Sequence, residues 1–198
     1  MNTERNYPVA GSQNIPFNAA SVKNIFVLFT IFWWIGYPFC AVAGIPNAAT
    51  MLIGAIVGVP FLTAAVVFAC ILLYRHWLLL QGFGARTTPG KAVGFSFIPF
   101  FCFYWWFIAY AGLAADSNRY MDQQGIQGAK LSYGLAVAMC VVGIVGCLLG
   151  WVPIVNIVID IPCMIIGFLF VLQQKNVIVR ILEYRQQEAQ QPPAAERP

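Results

Sequence analysis

A single carboxylate lies deep inside an apolar stretch of this sequence, where an ionisable group is costly. Three apolar residues separate Asn156 from Asp160, and Pro162 follows two residues later. Asn156 lies one helical turn before Asp160 on the same face, and the proline frees a backbone carbonyl nearby. A carboxylate, an amide and a free carbonyl would suit a cation or a proton, so Asp160 and Asn156 form a candidate polar site. The alternative is structural: Asp160 caps the last helix or makes an internal hydrogen bond.

A second group of polar residues flanks an aromatic block in the middle of the chain. The block runs from Phe100 to Phe107, after a basic turn and before an Asp-Ser-Asn-Arg sequence. We treat the following residues as a candidate central motif: Arg86, Thr88, Pro89, Gly90, Lys91, Pro99, Asp116 and Asn118. Proline removes a backbone donor and tends to break a helix. We therefore predict a short helix Ala92–Ile98, a break at Pro99, and an aromatic helix Cys102–Asp116.

The sequence lacks the residue sets that common catalytic and metal sites need. None of the six cysteines belongs to a C-x-x-C pair, and each lies in an apolar stretch, so we expect reduced packing residues. The one histidine, His76, lies beside Arg75 at a helix end, and we expect it at an interface. No Ser-His-Asp set, H-E-x-x-H sequence or phosphate-binding glycine loop is present. We predict no catalytic residue, no metal site and no cofactor.

Composition places the chain among integral membrane proteins. Of its 198 residues, 60% are hydrophobic and 9% are charged. Soluble domains carry roughly 25% charged residues, so a water-soluble fold of this length would lack the charges to cover its surface. The length allows one compact bundle. We expect a single membrane domain over residues 23–185, between a disordered cytoplasmic lead, 1–22, and a disordered tail, 186–198.

Apolar stretches of about 20 residues, enough to cross the hydrocarbon core, recur along the chain. We predict spans at Asn24–Gly44, Ala48–Tyr74, Leu131–Gly150 and, more briefly, Ile157–Leu172. Because proline lies between the members of each pair, the spans form two helical hairpins, 23–81 and 130–182, on either side of a central segment, 86–120. The predicted fold is an all-α membrane protein with four spans, and the alternative is five.

Charge indicates the orientation of these hairpins. Basic residues near span ends mark the cytoplasmic side, whereas the hairpin turns at Pro46 and Pro153 carry no charge. If both hairpins begin and end in the cytoplasm, every basic cluster lies inside, and the central segment must return to the side it left. We therefore predict a re-entrant or interfacial segment broken at Pro99, with both termini cytoplasmic. A kinked helix that crosses once is the alternative.

Small residues predict close helix contacts. Gly54 and Gly58, and likewise Gly146 and Gly150, have the G-x-x-x-G spacing that lets membrane helices approach each other. Such faces pack within a bundle or between copies. Besides the lipid bilayer, the expected partners are therefore a second copy or another membrane protein, and no nucleic acid is expected.

The central segment resembles part of a group of uncharacterised bacterial multi-pass membrane proteins. The resemblance rests on TTPGKAVGF at residues 87–95, FIPFF at 97–101 and the Tyr104-Trp105 pair, after a Tyr-Arg-x-Trp-like run at Tyr74–Trp77. Cys102 departs from the motif, which has asparagine there, and cysteine would replace poorly an asparagine that bonded the broken backbone. TPGK, residues 88–91, is also similar to the RDD family, where it follows a membrane helix on the cytoplasmic side. The resemblance implies a bacterial inner membrane and no particular activity.

Two classes of function remain open from the sequence. The first is a non-catalytic scaffold, accessory or assembly module. The second is a small ion- or solute-transporting protein that works around Asp160 and Asn156. A transporter normally lines its path with several polar groups, and the sequence shows one such cluster, which favours the module. An enzyme acting on lipid is a third and weaker alternative, because no nucleophile and base are paired.

Overall fold

The computed structural model describes residues 15–43, 47–149 and 153–190, with the backbone alone at 41–43 and 153–157. About 85% of the described residues are helical and none lies in a strand, which confirms the all-α class. The described helices are α1 (Ala19–Ala43), α2 (Ala48–Leu80), α3 (Pro89–Gly94) with a 3-10 turn (Phe95–Phe97), α4 (101–123), α5 (Tyr133–Leu149) and α6 (Pro153–Gln190).

Three of these helices are long and apolar enough to cross a membrane. They are α1, α2 and α6, with apolar spans at Ala19–Cys40, Ala48–Leu80 and Val158–Gln190. Helix α5 is equally apolar, but it has 17 residues and is shorter than these three. The predicted stretch at Leu131–Gly150 is therefore a helix of marginal length for a full crossing.

The helical domain is longer at both ends than the sequence suggests. Helix α1 begins at Ala19, inside the expected lead, and Phe17 packs against the core. Helix α6 continues to Gln190, five residues past the expected end of the domain at 185, and Arg185 is buried against α2. Residues 1–14 and 191–198 lie outside the described residues, as do the hairpin turns at 44–46 and 150–152.

Helices α1 and α2 approach so closely that their crossing requires glycine. A Cβ atom at Gly36 would lie 2.6 Å from the backbone nitrogen of Leu62, and one at Gly58 would lie 2.8 Å from the backbone nitrogen of Cys40. Contacts this short with backbone atoms cannot be relieved by a side-chain rotation. The close packing predicted from the Gly54 and Gly58 spacing is therefore found at Gly58, between two helices of one chain.

The central segment breaks where the sequence predicts. Helix α3 and its 3-10 turn end at Phe97, Ile98 is extended, and α4 restarts at Phe101. The intervening Phe100 has φ of 61° and an exposed fraction of 85%. A bulky residue at positive φ is strained by about 1–3 kcal/mol. The two arms cover 89–97 and 101–123, so both are longer than the predicted helices.

Local donors satisfy the backbone that the break leaves open. The amide of Cys102 donates to the carbonyl of Ile98 at 2.9 Å, so the backbone at the position of the motif asparagine closes the turn itself. The indole of Trp105 donates to the carbonyl of Ala92 at 3.3 Å and joins the two arms. Helix α4 also contains a π-helical turn, Phe107–Ala111, and the indole of Trp77 donates to the carbonyl of Ala109 in it at 3.1 Å.

Large buried side chains concentrate at one end of the bundle, where α2 and α4 end and α6 passes them. The fully buried large residues there are Leu72, Leu73, Trp77, Leu79, Leu80, Leu113, Tyr120, Met121, Leu131 and Ile178. The opposite end, where α1 ends and α2 begins, exposes large apolar side chains such as Leu52, Ile56, Leu148 and Val158. We call the two regions the core end and the turn end.

The α1–α2 crossing can be tested by adding one methyl group to it. We expect Gly36→Ala to lower the free energy of unfolding by about 1–3 kcal/mol, because overpacking against backbone forces the helices apart. Gly90→Ala is the matched control, since nothing lies within 4 Å of a Cβ atom there. Thermal unfolding in detergent measures both variants, and equal midpoints for the two would contradict the close crossing.

Candidate functional site

A cluster of polar side chains, buried at its centre and exposed at Arg86 and Arg119, occupies the core end. It draws on the last turns of α2, the loop before α3, the second half of α4 and the second half of α6. We call it the polar hub, and its members are His76, Arg86, Asp116, Ser117, Asn118, Arg119 and Arg185.

Asp116 is the centre of the polar hub. Its side chain is 2% exposed and accepts hydrogen bonds from the backbone amide of Arg86 at 3.1 Å and from the Arg86 Nη2 at 2.8 Å. Arg119 Nη2 donates to the same carboxylate at 3.1 Å and to the carbonyl of Gly84 at 3.0 Å. The hydrogen bonds to Asp116 raise the pKa of the Arg86 guanidinium above its usual range, so the guanidinium stays protonated. Two guanidinium groups therefore neutralise one buried carboxylate.

His76 and Ser117 form the next contact along α4. Both side chains are fully buried, and His76 Nε2 lies 2.9 Å from Ser117 Oγ. His76 Nδ1 is also buried and has no hydrogen-bond partner among the described residues. The histidine points from α2 into the bundle and meets α4, and its expected place at the membrane interface stays a prediction.

Asn118 fastens the loop between α4 and α5. Its Nδ2 donates to the carbonyl of Leu131 at 2.8 Å, and its Oδ1 accepts from the amide of Leu131 at 2.9 Å. The backbone carbonyl and amide of Leu131 thus satisfy both the nitrogen and the oxygen of the Asn118 side chain. On the surface nearby, Lys130 Nζ lies 2.6 Å from the Asp122 carboxylate.

Arg185 connects α6 to the rest of the hub. Its Nε donates to the hydroxyl of Tyr120 at 3.1 Å, and its Nη2 donates to the carbonyl of Leu79 at 2.7 Å. The guanidinium also lies over the rings of Phe83 and Tyr120. Burial raises the pKa of Tyr120 even though Arg185 opposes the change, so the hydroxyl remains a neutral acceptor.

The structure brings together only part of the predicted central motif. Arg86 and Asp116 meet directly, and Asn118 lies two residues further along α4. Thr88 and Pro89 serve the start of α3: the carbonyl of Thr88 accepts from the amide of Ala92, and Pro89 is the first helical residue. The other members do not join the hub, because Gly90 and Lys91 are exposed on α3 and Pro99 is exposed at the break.

The second predicted site is only partly described. Asp160 is half-buried and interacts within the chain, whereas the side chain of Asn156 lies outside the described residues. Helix α6 begins at Pro153, so Asp160 lies in its third turn and cannot cap it. Asp160 lies close enough to Tyr37 and Cys163 for an electrostatic interaction.

Tyr37 and Cys163 line a half-open cavity of about 200 Å³ between α1, α4, α5 and α6. Aromatic and aliphatic side chains form most of its wall, with Trp33, Trp106 and Ile166 among them. The thiol of Cys163 donates to the carbonyl of Val142 at 3.6 Å and is thereby occupied. The cavity is therefore mainly apolar and offers few groups to replace the hydration of an ion.

The hub arrangement suits holding helices together. Each of its members contacts another element of the fold. Hub residues line neither this cavity nor a second one, a groove on the outer face of α2. Across the described ranges, no three His, Cys, Asp or Glu side chains lie together in a way that could hold a metal ion.

Comparisons with protein-family models, with curated proteins and with solved structures find no match to this chain.

Sequence reasoning missed His76, Ser117, Arg119 and Arg185 as hub members. Each pairs with a residue far away in the chain, so the spacing of nearby residues does not predict the contact. His76 and Ser117, for example, are 41 positions apart. A usable signal existed only for Arg185, because an arginine within an otherwise apolar helical stripe, between Leu182 and the tail, predicts a buried partner.

The central carboxylate provides a test of the hub. We expect Asp116→Asn to lower the free energy of unfolding by about 1–3 kcal/mol, because an amide nitrogen replaces an acceptor oxygen at a buried position where backbone and guanidinium donors converge. Asp122→Asn is the matched control on the same helix; its pair with Lys130 is exposed and worth less than about 1 kcal/mol. Chemical denaturation in mild detergent compares the two, and a loss no larger for Asp116→Asn would show that the hub does not stabilise the fold.

Proposed function

We propose that the chain is a non-catalytic multi-pass membrane protein that acts as a scaffold, accessory or assembly module. The observation that carries the proposal is how the polar side chains are used. The charged side chains of the polar hub bond to other parts of the same chain, and they join elements of the fold instead of lining a cavity. A protein built in this way presents fixed surfaces to lipid and to partners.

The distribution of buried residues supports a position in a membrane. In lipid, helix association gains nothing from hiding apolar side chains, because the surrounding tails are equally apolar. In water, the same side chains must be buried. A bundle with a dense core at one end and exposed Leu52, Ile56 and Leu148 at the other fits a turn end in lipid and a core end near water. By the resemblance of the central segment, the membrane is the bacterial inner membrane.

The two ends of the central segment lie together, which favours a re-entrant or interfacial position over a crossing. Arg86 before α3 bonds to Asp116 in α4, and Gly84 bonds to Arg119. The segment therefore leaves the core end and returns to it. Basic residues of every described cluster also lie at this end, which agrees with a cytoplasmic core end and four spans.

Cysteine labelling tests this topology. In a cysteine-free background, we expect a cysteine at Asn47 to react with an impermeant thiol reagent outside intact cells. Cysteines at Gln123 and Gln187 should react only after the cells are permeabilised. The cysteine-free parent is the control for background. If the central segment crosses once, Gln123 and Gln187 will be labelled from outside, and the five-span arrangement will replace ours.

The alternative function, transport of an ion or solute around Asp160 and Asn156, has one observation in its favour. The 200 Å³ cavity is lined by Tyr37 and Cys163, which lie within electrostatic reach of Asp160. The apolar character of the remaining wall weighs against it, because an ion path normally offers several polar ligands.

Flux measurements separate the two functions. We expect proteoliposomes of the parent protein to carry no proton or sodium flux above protein-free liposomes under an imposed gradient. We also expect Asp160→Asn to unfold at a higher temperature than Asp160→Leu, since the amide keeps hydrogen bonding at a half-buried position. Flux in the parent that is lost in Asp160→Asn, and kept in the control Asp122→Asn, would establish transport and refute the module.

A further inference from the structure

A long apolar groove runs along the outer face of α2. It encloses about 550 Å³, and its floor is a stripe of α2 residues from Thr63 to Leu78 at three- and four-residue spacing. Phe17 forms one wall and Phe97, from the turn after α3, forms the other. The lining is apolar along most of the groove, with a guanidinium near one end.

That guanidinium belongs to Arg75, which is the charged residue of the lining. Arg75 Nη1 donates to Ser21 Oγ at 2.7 Å, and the guanidinium lies 4.7 Å from the centre of the Phe17 ring. These contacts hold the side chain at the mouth of the groove. An arginine carries five N–H donors, so most of them remain for a ligand.

Arg75 lacks the carboxylate counter-charge that Arg86 and Arg119 have. Arg180 and Arg185 lack one too, but they bond to carbonyl and hydroxyl oxygens outside the groove. Arg86 and Arg119 share Asp116, and Lys23 lies 4.0 Å from Glu183. Among the described residues, no carboxylate lies within ion-pair distance of Arg75. A half-buried guanidinium that faces an apolar groove without an acid favours an anion as its partner, and phosphate matches its planar donors in a bidentate manner.

The dimensions of the groove match one lipid leaflet. Arg75 and Thr63 are separated by about 18 Å along the helix at 1.5 Å per residue. Half of a hydrocarbon core about 30 Å thick is about 15 Å. A phosphate held at Arg75 would therefore leave an acyl chain room to extend along the groove towards the middle of the bilayer.

We propose that this groove is a binding site for one anionic phospholipid, with its phosphate on Arg75 and an acyl chain along the α2 stripe. A zwitterionic lipid brings its own cation to the headgroup and neutralises Arg75 less completely, so the site prefers an anionic one. The proposal needs α2 in a membrane, and it holds whether the protein is a scaffold or a transporter.

The test uses delipidated full-length protein in detergent, titrated with phosphatidylglycerol or with phosphatidylcholine and followed by native mass spectrometry. We expect one retained phosphatidylglycerol and weaker binding of phosphatidylcholine. Arg75→Gln should weaken phosphatidylglycerol about tenfold, equivalent to about 1.4 kcal/mol. Lys23→Gln is the matched control, because it removes the same charge from a residue that is outside the lining and already paired.

A second variant keeps the test decisive if Arg75→Gln does not fold. Val67→Trp fills the groove and leaves Arg75 intact, so it should lose the retained lipid. Equal binding of the two lipids, or unchanged binding in both variants, would overturn the proposal. Stabilisation by inorganic phosphate equal to that by phosphatidylglycerol would also overturn it, because it would assign the site to a free anion.

Discussion

The bond between Arg86 and Asp116 closes the central segment into a loop with a common start and finish. A carboxylate that is 2% exposed is stable only with its charge compensated, and Arg86 and Arg119 provide that compensation. Because the two ends are joined, the strained turn at Phe100 lies at the far tip of a closed hairpin. The other hub contacts then attach this hairpin to α2, α5 and α6.

The proposed position in a membrane accounts for a fold that is dense at one end and open at the other. Water drives apolar side chains together, whereas lipid tails offer them an equivalent environment. Helices within lipid are therefore held by shape, and α1 and α2 cross where Gly36 and Gly58 allow their backbones to meet. At the core end, apolar burial and hydrogen bonding both stabilise the packing. Trp77 and Tyr120 are therefore buried and also hydrogen-bonded.

Sequence reasoning succeeded where the cause is local. Pro99 breaks the helix through its own covalent structure, and long apolar runs fix the all-α class. It failed where the cause lies elsewhere in space: nothing near His76 in the sequence indicates that α4 places Ser117 beside it. The sequence alone allowed Asp160 to cap α6, but the helix begins seven residues earlier, at Pro153. The hub as a whole needed three helix ends to be brought together, and no spacing within one segment contains that information.

Helix α6 fixes the register between the two ends of the molecule. It runs without interruption for 38 residues, about 57 Å, through Pro162 and on to the hub. One inserted residue in its middle would advance everything beyond it by about 1.5 Å and rotate it by about 100°. Arg185 would then face away from Leu79 and Tyr120. The number of residues in α6, more than the identity of most of them, therefore determines whether its C-terminal half contacts α2 and α4.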